Sequence, residues 1–302
     1  MHLLEYLKTH LIPKDEKDRG KFIVISHVES MQKRYGDFVK LFGRDESWIE
    51  QLKLIERGEL DLTKYLDLEV ILIQACFLKS RLTKLNVASC SRLVDLSLPG
   101  NQLTDLDLAN CCNLKELNIS KNQFTSLDFL KLLPNPEKLE ILNVSDNCIQ
   151  PTTLDFVRPF LNLKNLSVGN DDRCFHDTHW HRLDGYYKSE TYINVFGSPP
   201  LRYFGSQYYN HIYDSLEPLK NLSQLKLLNI DNTDIDSGLE YLPDSIEKFW
   251  CSGPYNDGEK NIYTKVKTIR GELEKYGEWT SKDCKGYAAL LKLWKIDNLK
   301  AK

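Results

Sequence analysis

The sequence of 302 residues contains no long apolar run, no CxxC pair and no marked excess of either charge. No stretch approaches the roughly 20 apolar residues needed to cross a bilayer. Forty basic and 43 acidic side chains leave a net charge of −3, so no overall basic character favours nucleic acid as a partner. Eight cysteines are too few for a disulfide-stabilised scaffold. These absences favour a reduced, folded protein with no membrane partner and no nucleic-acid partner.

The short motifs of common enzyme classes are also missing. The chain contains no GxSxG, HExxH or GxxxxGK[ST] sequence. Asp107 and Asp128 occupy the same place one period apart in the repeat described below, which predicts a repeated surface position rather than an acid–base pair. We therefore predict a protein that is not an enzyme, with no catalytic residues, no cofactor and no small-molecule substrate.

What the sequence does contain is an internal repeat. Residues 93–114 read LVDLSLPGNQLTDLDLANCCNL, in which L-x-x-L-x-L-x-x-N-x-L is followed by a second L-x-x-L-x-L-x-x-C. Leu93 and Leu114 begin successive units, 21 positions apart. The spacing of two between the last leucines is β-strand alternation, so each unit is predicted to add one short parallel strand and to stack its leucines into a common core.

The ninth place of most repeats carries an asparagine or a cysteine. An asparagine side chain there is predicted to satisfy the backbone groups that bend away at the end of the strand. Cys76, Cys90 and Cys111 recur at the same place of the repeat. They are predicted to be small, buried and reduced.

The pattern resembles the leucine-rich repeat superfamily over about residues 49–251, and its nested form resembles the 21-residue subtype called IRREKO. Residues 209–252, YNHIYDSLEPLKNLSQLKLLNIDNTDIDSGLEYLPDSIEKFWCS, are similar to the intracellular leucine-rich repeat proteins amplified in arbuscular mycorrhizal fungi. Some of those proteins carry a kinase domain, whose motifs this chain lacks. The resemblance implies an α/β fold, a right-handed leucine-rich repeat solenoid with a parallel concave β-sheet and a convex side that is partly β.

We divide the chain into three predicted parts. Residues 1–48 form an N-terminal helical cap, residues 49–251 form the solenoid, and residues 252–302 form a basic C-terminal helical cap. Caps are expected because the open ends of a solenoid expose core leucines. An aromatic-rich insertion is predicted to interrupt the solenoid at residues 171–221.

An amphipathic helix is predicted before the repeats, from the spacing of Val28, Met31, Tyr35 and Phe38. The simplest interpretation is a cap. The alternative is a docking helix that uses Met31, Tyr35 and Phe38 to bind an effector such as a ubiquitin ligase. The chain would then be the substrate-recognition subunit of a larger complex.

The predicted insertion is rich in aromatic residues and histidines. Large aromatic side chains are enriched at binding hot spots, while packing of the segment onto the solenoid is the alternative interpretation. Cys174, His176, His179 and His181 match no structural zinc motif, so a polar loop tip is expected and metal binding is the third alternative. The insertion residues predicted to bind a partner are Trp180, Tyr186, Tyr187, Tyr203, Tyr208 and Tyr209.

Residues between the core leucines are predicted to point away from the core and to form columns on the concave sheet. Their small amides and hydroxyls suit a peptide or protein surface, with Ile141 and Leu227 as apolar anchors. Hydrogen bonding along the sheet is the alternative role. The concave residues predicted to bind a partner are Asp95, Ser97, Glu116, Asn118, Ser120, Ile141, Asn143, Ser145, Asn165, Ser167, Leu227, Asn229 and Asp231.

Together these features predict a non-catalytic scaffold that binds another protein or a peptide. The charged N-terminal residues Glu5 and Lys8 interrupt any secretory signal. We therefore expect a cytoplasmic location, with the nucleus as the alternative.

Overall fold

The computed structural model describes residues 22–25, 57–73, 81–170, 210–231, 233–251, 269, 272–273, 275–276 and 284–299. The chain divides into two compact units. The first comprises Met1–Val144 with Pro159–Asn165, and the second comprises Ser145–Arg158 with Leu166–Lys302. Each unit contains its own run of short parallel strands.

The first unit is built on a ladder of parallel strands in the order β1, β3, β5, β6, β7. Two further strands, β2 and β4, pair in parallel to form a small second sheet. The 3-10 helices of this unit span Asp128–Leu132 and Pro136–Lys138. The strands are β1 (Phe22–Ile25), β2 (Glu59–Asp61), β3 (Val70–Ile73), β4 (Lys84–Asn86), β5 (Asp95–Ser97), β6 (Glu116–Asn118) and β7 (Ile141–Asn143).

The register of this ladder follows the leucine motif. Leu96 of β5 lies beside Leu117 of β6, which lies beside Leu142 of β7. All three side chains are fully buried. Each strand is only three or four residues long, so no strand buries enough apolar surface alone, and the core exists only when successive units stack.

The second unit repeats the arrangement with the ladder β8 (Asn165–Ser167), β10 (Leu227–Asn229) and β12 (Lys248–Trp250). Its small second sheet pairs β9 (Tyr213–Ser215) with β11 (Asp234–Ser237). The α-helix α1 (Cys284–Leu299) packs beside β12. The 3-10 helices of this unit span Leu154–Val157, Glu217–Leu219 and Leu239–Tyr241.

Buried asparagines satisfy the backbone where the chain leaves the main ladder. In the first unit, Asn122 Oδ1 accepts the N–H of Leu103 at 3.1 Å, and its Nδ2 donates to the carbonyls of Leu98, Ile119 and Ser120. Asn101 makes the equivalent bonds one repeat earlier. Its Oδ1 accepts the N–H of Leu82, and its Nδ2 donates to the carbonyls of Ile73 and Leu98. The predicted role of the ninth place is therefore confirmed at both asparagines.

The residue before each of these asparagines turns the chain through a left-handed backbone conformation. Gly100 has a φ of 77° and Lys121 has a φ of 57°. Asp146, which precedes Asn147 in the second unit, has a φ of 55°. The sharp turn at the strand exit is therefore a fixed feature of the repeat, even where the residue is not glycine.

The two small sheets bear out the expectation that the nested second halves are partly β. The half-repeat from Leu103 to Leu108 buries the same leucines without forming a strand. In the predicted N-terminal cap, Phe22–Ile25 form a strand that pairs with β3, an addition to the ladder that the helical pattern did not indicate. The predicted helix at Val28–Phe38 lies outside the described residues.

Candidate interaction surface

The strands of the first unit align the predicted partner-binding residues into two columns. Asp95, Glu116 and Ile141 are neighbours in register, and Ser97, Asn118 and Asn143 form the parallel column two positions further along each strand. Asn165 continues the first column. Its N–H donates to the carbonyl of Glu140, in the same way as the N–H of Ile141 donates to the carbonyl of Lys115. The face that carries these columns, opposite the buried leucines, is termed the outward face below.

In the second unit the outward face carries Ser167, Leu227, Asn229 and Asp231 of the predicted set. The ladder continues to β12, which places Lys248 beside Leu227 and Trp250 beside Asn229. The leucine pattern did not predict these two residues on the outward face. The sequence motif that could have predicted them is Ile246-x-x-Phe249-x-Cys251. It has the spacing of the repeat, which makes residues 248 and 250 point outward.

Most of the predicted surface residues in both units are half-buried, as expected for side chains on a sheet face. Three of the predicted surface residues are buried instead. Asp95, Ser120 and Ser145 are only 6%, 7% and 8% exposed, so they offer a partner little surface. The hydroxyl of Ser120 is in addition already used, since it donates to Asn118 Oδ1 at 2.8 Å.

Asparagines at the ends of two outward strands make the same local turn. Asn118 Oδ1 accepts the N–H of Ser120 at 3.1 Å, and in the second unit Asn229 Oδ1 accepts the N–H of Asp231 at 2.9 Å. Within the described part of the chain, no acceptor contacts the Nδ2 of Asn118 or of Asn229. Each amide therefore closes a turn with its oxygen and presents its NH2 group on the outward face.

A leucine motif supplies each strand of the main ladders except β1, these strands pair in parallel in register, and the ninth-place asparagines bond between successive repeats. The fold is a leucine-rich repeat solenoid. This confirms the resemblance to the superfamily, while the closer resemblance to the fungal proteins stays a prediction.

Comparison with known proteins gives the following similarities. No protein-family model matches the leucine-rich repeat chain, and no curated protein matches it. Among solved structures it is similar to a leucine-rich repeat protein of Leptospira interrogans, with 16% identity, 64% of this chain covered and a TM-score of 0.40. It is also similar to internalin C2 of Listeria monocytogenes, with 18% identity over 61% of this chain and 76% of that chain, and a TM-score of 0.34. The match with the Leptospira protein spans less than half of that protein, 45% of its chain.

The leucine-rich repeats bury four of the five described free cysteines. Burial, and next the charge of Asp61, raises the pKa of Cys90 to about 11. Burial, and next the neighbouring Cys90, raises the pKa of Cys111 to about 12. Burial also raises the pKa of Cys148 to about 11. The prediction of buried, reduced thiols holds for Cys90 and Cys111, and Cys76 lies outside the described residues.

We expect alkylating reagents to distinguish Cys111 from its neighbour Cys112. Cys111 is 2% exposed, whereas Cys112 is half-buried. Since only the thiolate reacts, a rise of the pKa from 9.0 to about 12 lowers the reactive fraction of Cys111 about a thousandfold near pH 8. Iodoacetamide labelling of the native protein, followed by tandem mass spectrometry, should find Cys112 modified long before Cys111. Equal labelling of both thiols in the native protein, rather than only in urea, would contradict the burial.

The remaining predicted site residues lie outside the described residues. These are the aromatic residues of the insertion, Met31, Tyr35 and Phe38 of the alternative docking helix, and His176, His179 and His181 of the alternative metal site. In the part of the chain that the structure describes, no group of three or more His, Cys, Asp or Glu side chains is placed to hold a metal ion. The same part contains no helix with the length and apolar character of a membrane span.

Proposed function

We propose that the chain is a non-catalytic protein-binding scaffold, in which the outward face of each unit binds an extended segment of a partner protein. The observation that carries this proposal is the pair of amide NH2 groups on Asn118 and Asn229, one in each unit. Their oxygens are already used in turns, so the donors are held in fixed positions at little cost in side-chain entropy.

A peptide is the ligand that best matches these donors. Backbone carbonyls of an extended peptide recur every two residues on one side, and each accepts a hydrogen bond. Apolar side chains lie close to the donors in both units. Ile141 is on the strand next to Asn118, and Trp250 is in register with Asn229. Aromatic residues of this kind supply a large share of binding energy at protein interfaces.

We also propose roles for the parts that flank the repeats. Ala288, Leu290 and Leu291 of α1 are buried, and the helix packs beside β12. Lys295 donates to the carbonyl of Leu242 and to Asp244 Oδ1, which fixes the helix against the last repeats. These contacts support α1 as the core of a C-terminal cap. The N-terminal cap and the aromatic contacts of the insertion remain part of the proposal.

The outward donors can be removed without breaking their turns. Asn118→Asp and Asn229→Asp each keep the Oδ1 acceptor and replace the NH2 donor by a second oxygen. Peptides selected on the intact chain from a random library displayed on phage would be measured by calorimetry against each variant. We expect at least one variant to weaken the selected peptides about tenfold, the effect of one lost hydrogen bond of about 1.4 kcal/mol.

Asn86→Asp is the matched control for this experiment. Asn86 ends β4 in the small second sheet, is exposed, and makes the same turn by accepting the N–H of Ala88 at 3.2 Å. The substitution therefore adds the same charge to the same local structure away from the outward face. If both outward variants bind the selected peptides as tightly as this control does, the outward face is not the binding surface.

A further inference from the structure

Asn170 and Asn210 stand on either side of residues 171–209, which lie outside the described residues, and they bond directly to each other. The N–H of Asn210 donates to Asn170 Oδ1 at 2.9 Å, and Asn170 Nδ2 donates to the carbonyl of Asn210 at 3.1 Å. One side-chain amide thus satisfies both backbone polar groups of Asn210. Both residues are almost completely buried, at 1% and 0% exposure.

The side chain of Asn210 makes the bonds of a ninth-place asparagine. Its Nδ2 donates to the carbonyl of Val168 at 3.1 Å, as Asn122 donates to Ile119. Its Oδ1 accepts the N–H of Ile149 at 3.3 Å, as Asn122 accepts that of Leu103. In each case the carbonyl belongs to the last core residue of the strand motif in the same repeat, and the N–H belongs to the preceding repeat.

The residues after Asn210 also continue the repeat. Ile212, two positions after Asn210, is completely buried. The residues two positions after Asn101 and Asn122 are buried in the same way, and these are Leu103 and Phe124. The predicted end of the insertion at residue 221 is therefore too late, because Ile212, Leu216 and Leu219 already belong to the core.

We infer that Asn210 is the ninth-place asparagine of the repeat that opens at Leu163, and that residues 171–209 are inserted between two adjacent positions of one complete repeat. Without them the chain would read Val168-Gly169-Asn170-Asn210-His211-Ile212. This has the spacing of Ile119-Ser120-Lys121-Asn122-Gln123-Phe124. The pair Asn170 and Asn210 is thus a clamp that lets the solenoid close its repeat across 39 residues.

Two physical facts support a direct join between Asn170 and Asn210. Asn210 bonds to Asn147, Ile149, Val168 and Asn170, which all precede the inserted segment in the sequence. The position before the ninth place is left-handed at Lys121 and Asp146, and asparagine tolerates that conformation better than most residues. The clamp is therefore expected to keep the repeat closed when residues 171–209 are removed.

The test is a set of three deletions in the full chain, compared by urea unfolding with far-UV circular dichroism. Deleting 171–209 restores the repeat spacing, whereas deleting 170–209 leaves it one residue short and deleting 172–209 leaves it one residue long. We expect the first variant to unfold cooperatively at a urea midpoint close to that of the intact chain. The two register controls should unfold at clearly lower urea concentrations.

Asn210→Ala in the intact chain provides a second measurement that does not depend on a deletion folding. It should lower the urea midpoint as Asn122→Ala does, because both remove a buried ladder asparagine. The inference is overturned if the three deletions share one midpoint, if the deletion of 171–209 fails to fold, or if Asn210→Ala leaves the midpoint unchanged. None of these readouts involves partner binding, so they are independent of the proposed function.

Discussion

Replacing Asn122 with alanine is expected to lower the free energy of unfolding by about 3 kcal/mol or more. The side chain is 4% exposed and bonds four backbone groups at distances of 2.9 to 3.1 Å. Alanine would leave the N–H of Leu103 without this partner in the interior. It would also remove one hydrogen bond from each of the carbonyls of Leu98, Ile119 and Ser120, of which the Leu98 carbonyl keeps its bond from Asn101. Each buried polar group left unpaired costs about 1–3 kcal/mol, which makes the loss far larger than that of one ordinary hydrogen bond.

The measurement is urea unfolding of the purified variant, with Asn113→Ala as the matched control. Asn113 is exposed and donates a single bond to the carbonyl of Ser91 at 3.1 Å, so its loss should cost less than about 1 kcal/mol. Stacked repeats unfold without strict two-state behaviour, so the two variants are compared by their midpoints as well as by fitted energies. Equal urea midpoints for the two variants would contradict the role of Asn122 in bonding one repeat to the next.

Much of the solenoid could be predicted from the sequence because the repeat is a local code. Leu96, Leu117 and Leu142 were placed by spacing alone, and the structure puts them side by side in the core. The same spacing gave the outward columns, since a residue next to an inward leucine must point the other way. Asn101 and Asn122 followed from the position at which each strand ends.

What the sequence did not reveal depends on contacts between distant residues. Asn210 was missed because its repeat partner Val168 is 42 positions away, although Asn210-His211-Ile212 has the same spacing as Asn122-Gln123-Phe124. The burial of Ser120 and Ser145 was missed because the alternation of the pattern gives the direction of a side chain but not its exposure. Trp250 was missed because phenylalanine and cysteine replace leucine in its strand motif.

Gly169→Ala is expected to destabilise the second unit by at least about 3 kcal/mol, even though alanine differs by one methyl group. A Cβ at this position would lie 2.6 Å from Asn229 Oδ1 and 2.7 Å from both the N and the O of Asp231. Side chains could move aside, but the two Asp231 atoms belong to the backbone and are held in place. The N–H of Asn170 donates to the Asp231 carbonyl at 2.7 Å, and Asn229 Oδ1 accepts the Asp231 N–H. Overpacking against fixed atoms commonly costs about 1–3 kcal/mol, and here one methyl group meets two fixed backbone atoms as well as Asn229 Oδ1.

The cause of the Gly169→Ala effect can be separated by two further variants. Ser120 occupies the equivalent position in the first unit and tolerates a side chain, so Ser120→Ala should change the urea midpoint only slightly. Gly169→Ala combined with Asn229→Ala removes the side-chain oxygen but leaves both backbone atoms in place, so the double variant should stay as unstable as the single one. Recovery of the midpoint in the double variant would mean that Asn229 alone requires the glycine. Persistence of the loss instead shows that the close approach of two backbones fixes glycine at the exit of β8, next to the clamp formed by Asn170 and Asn210.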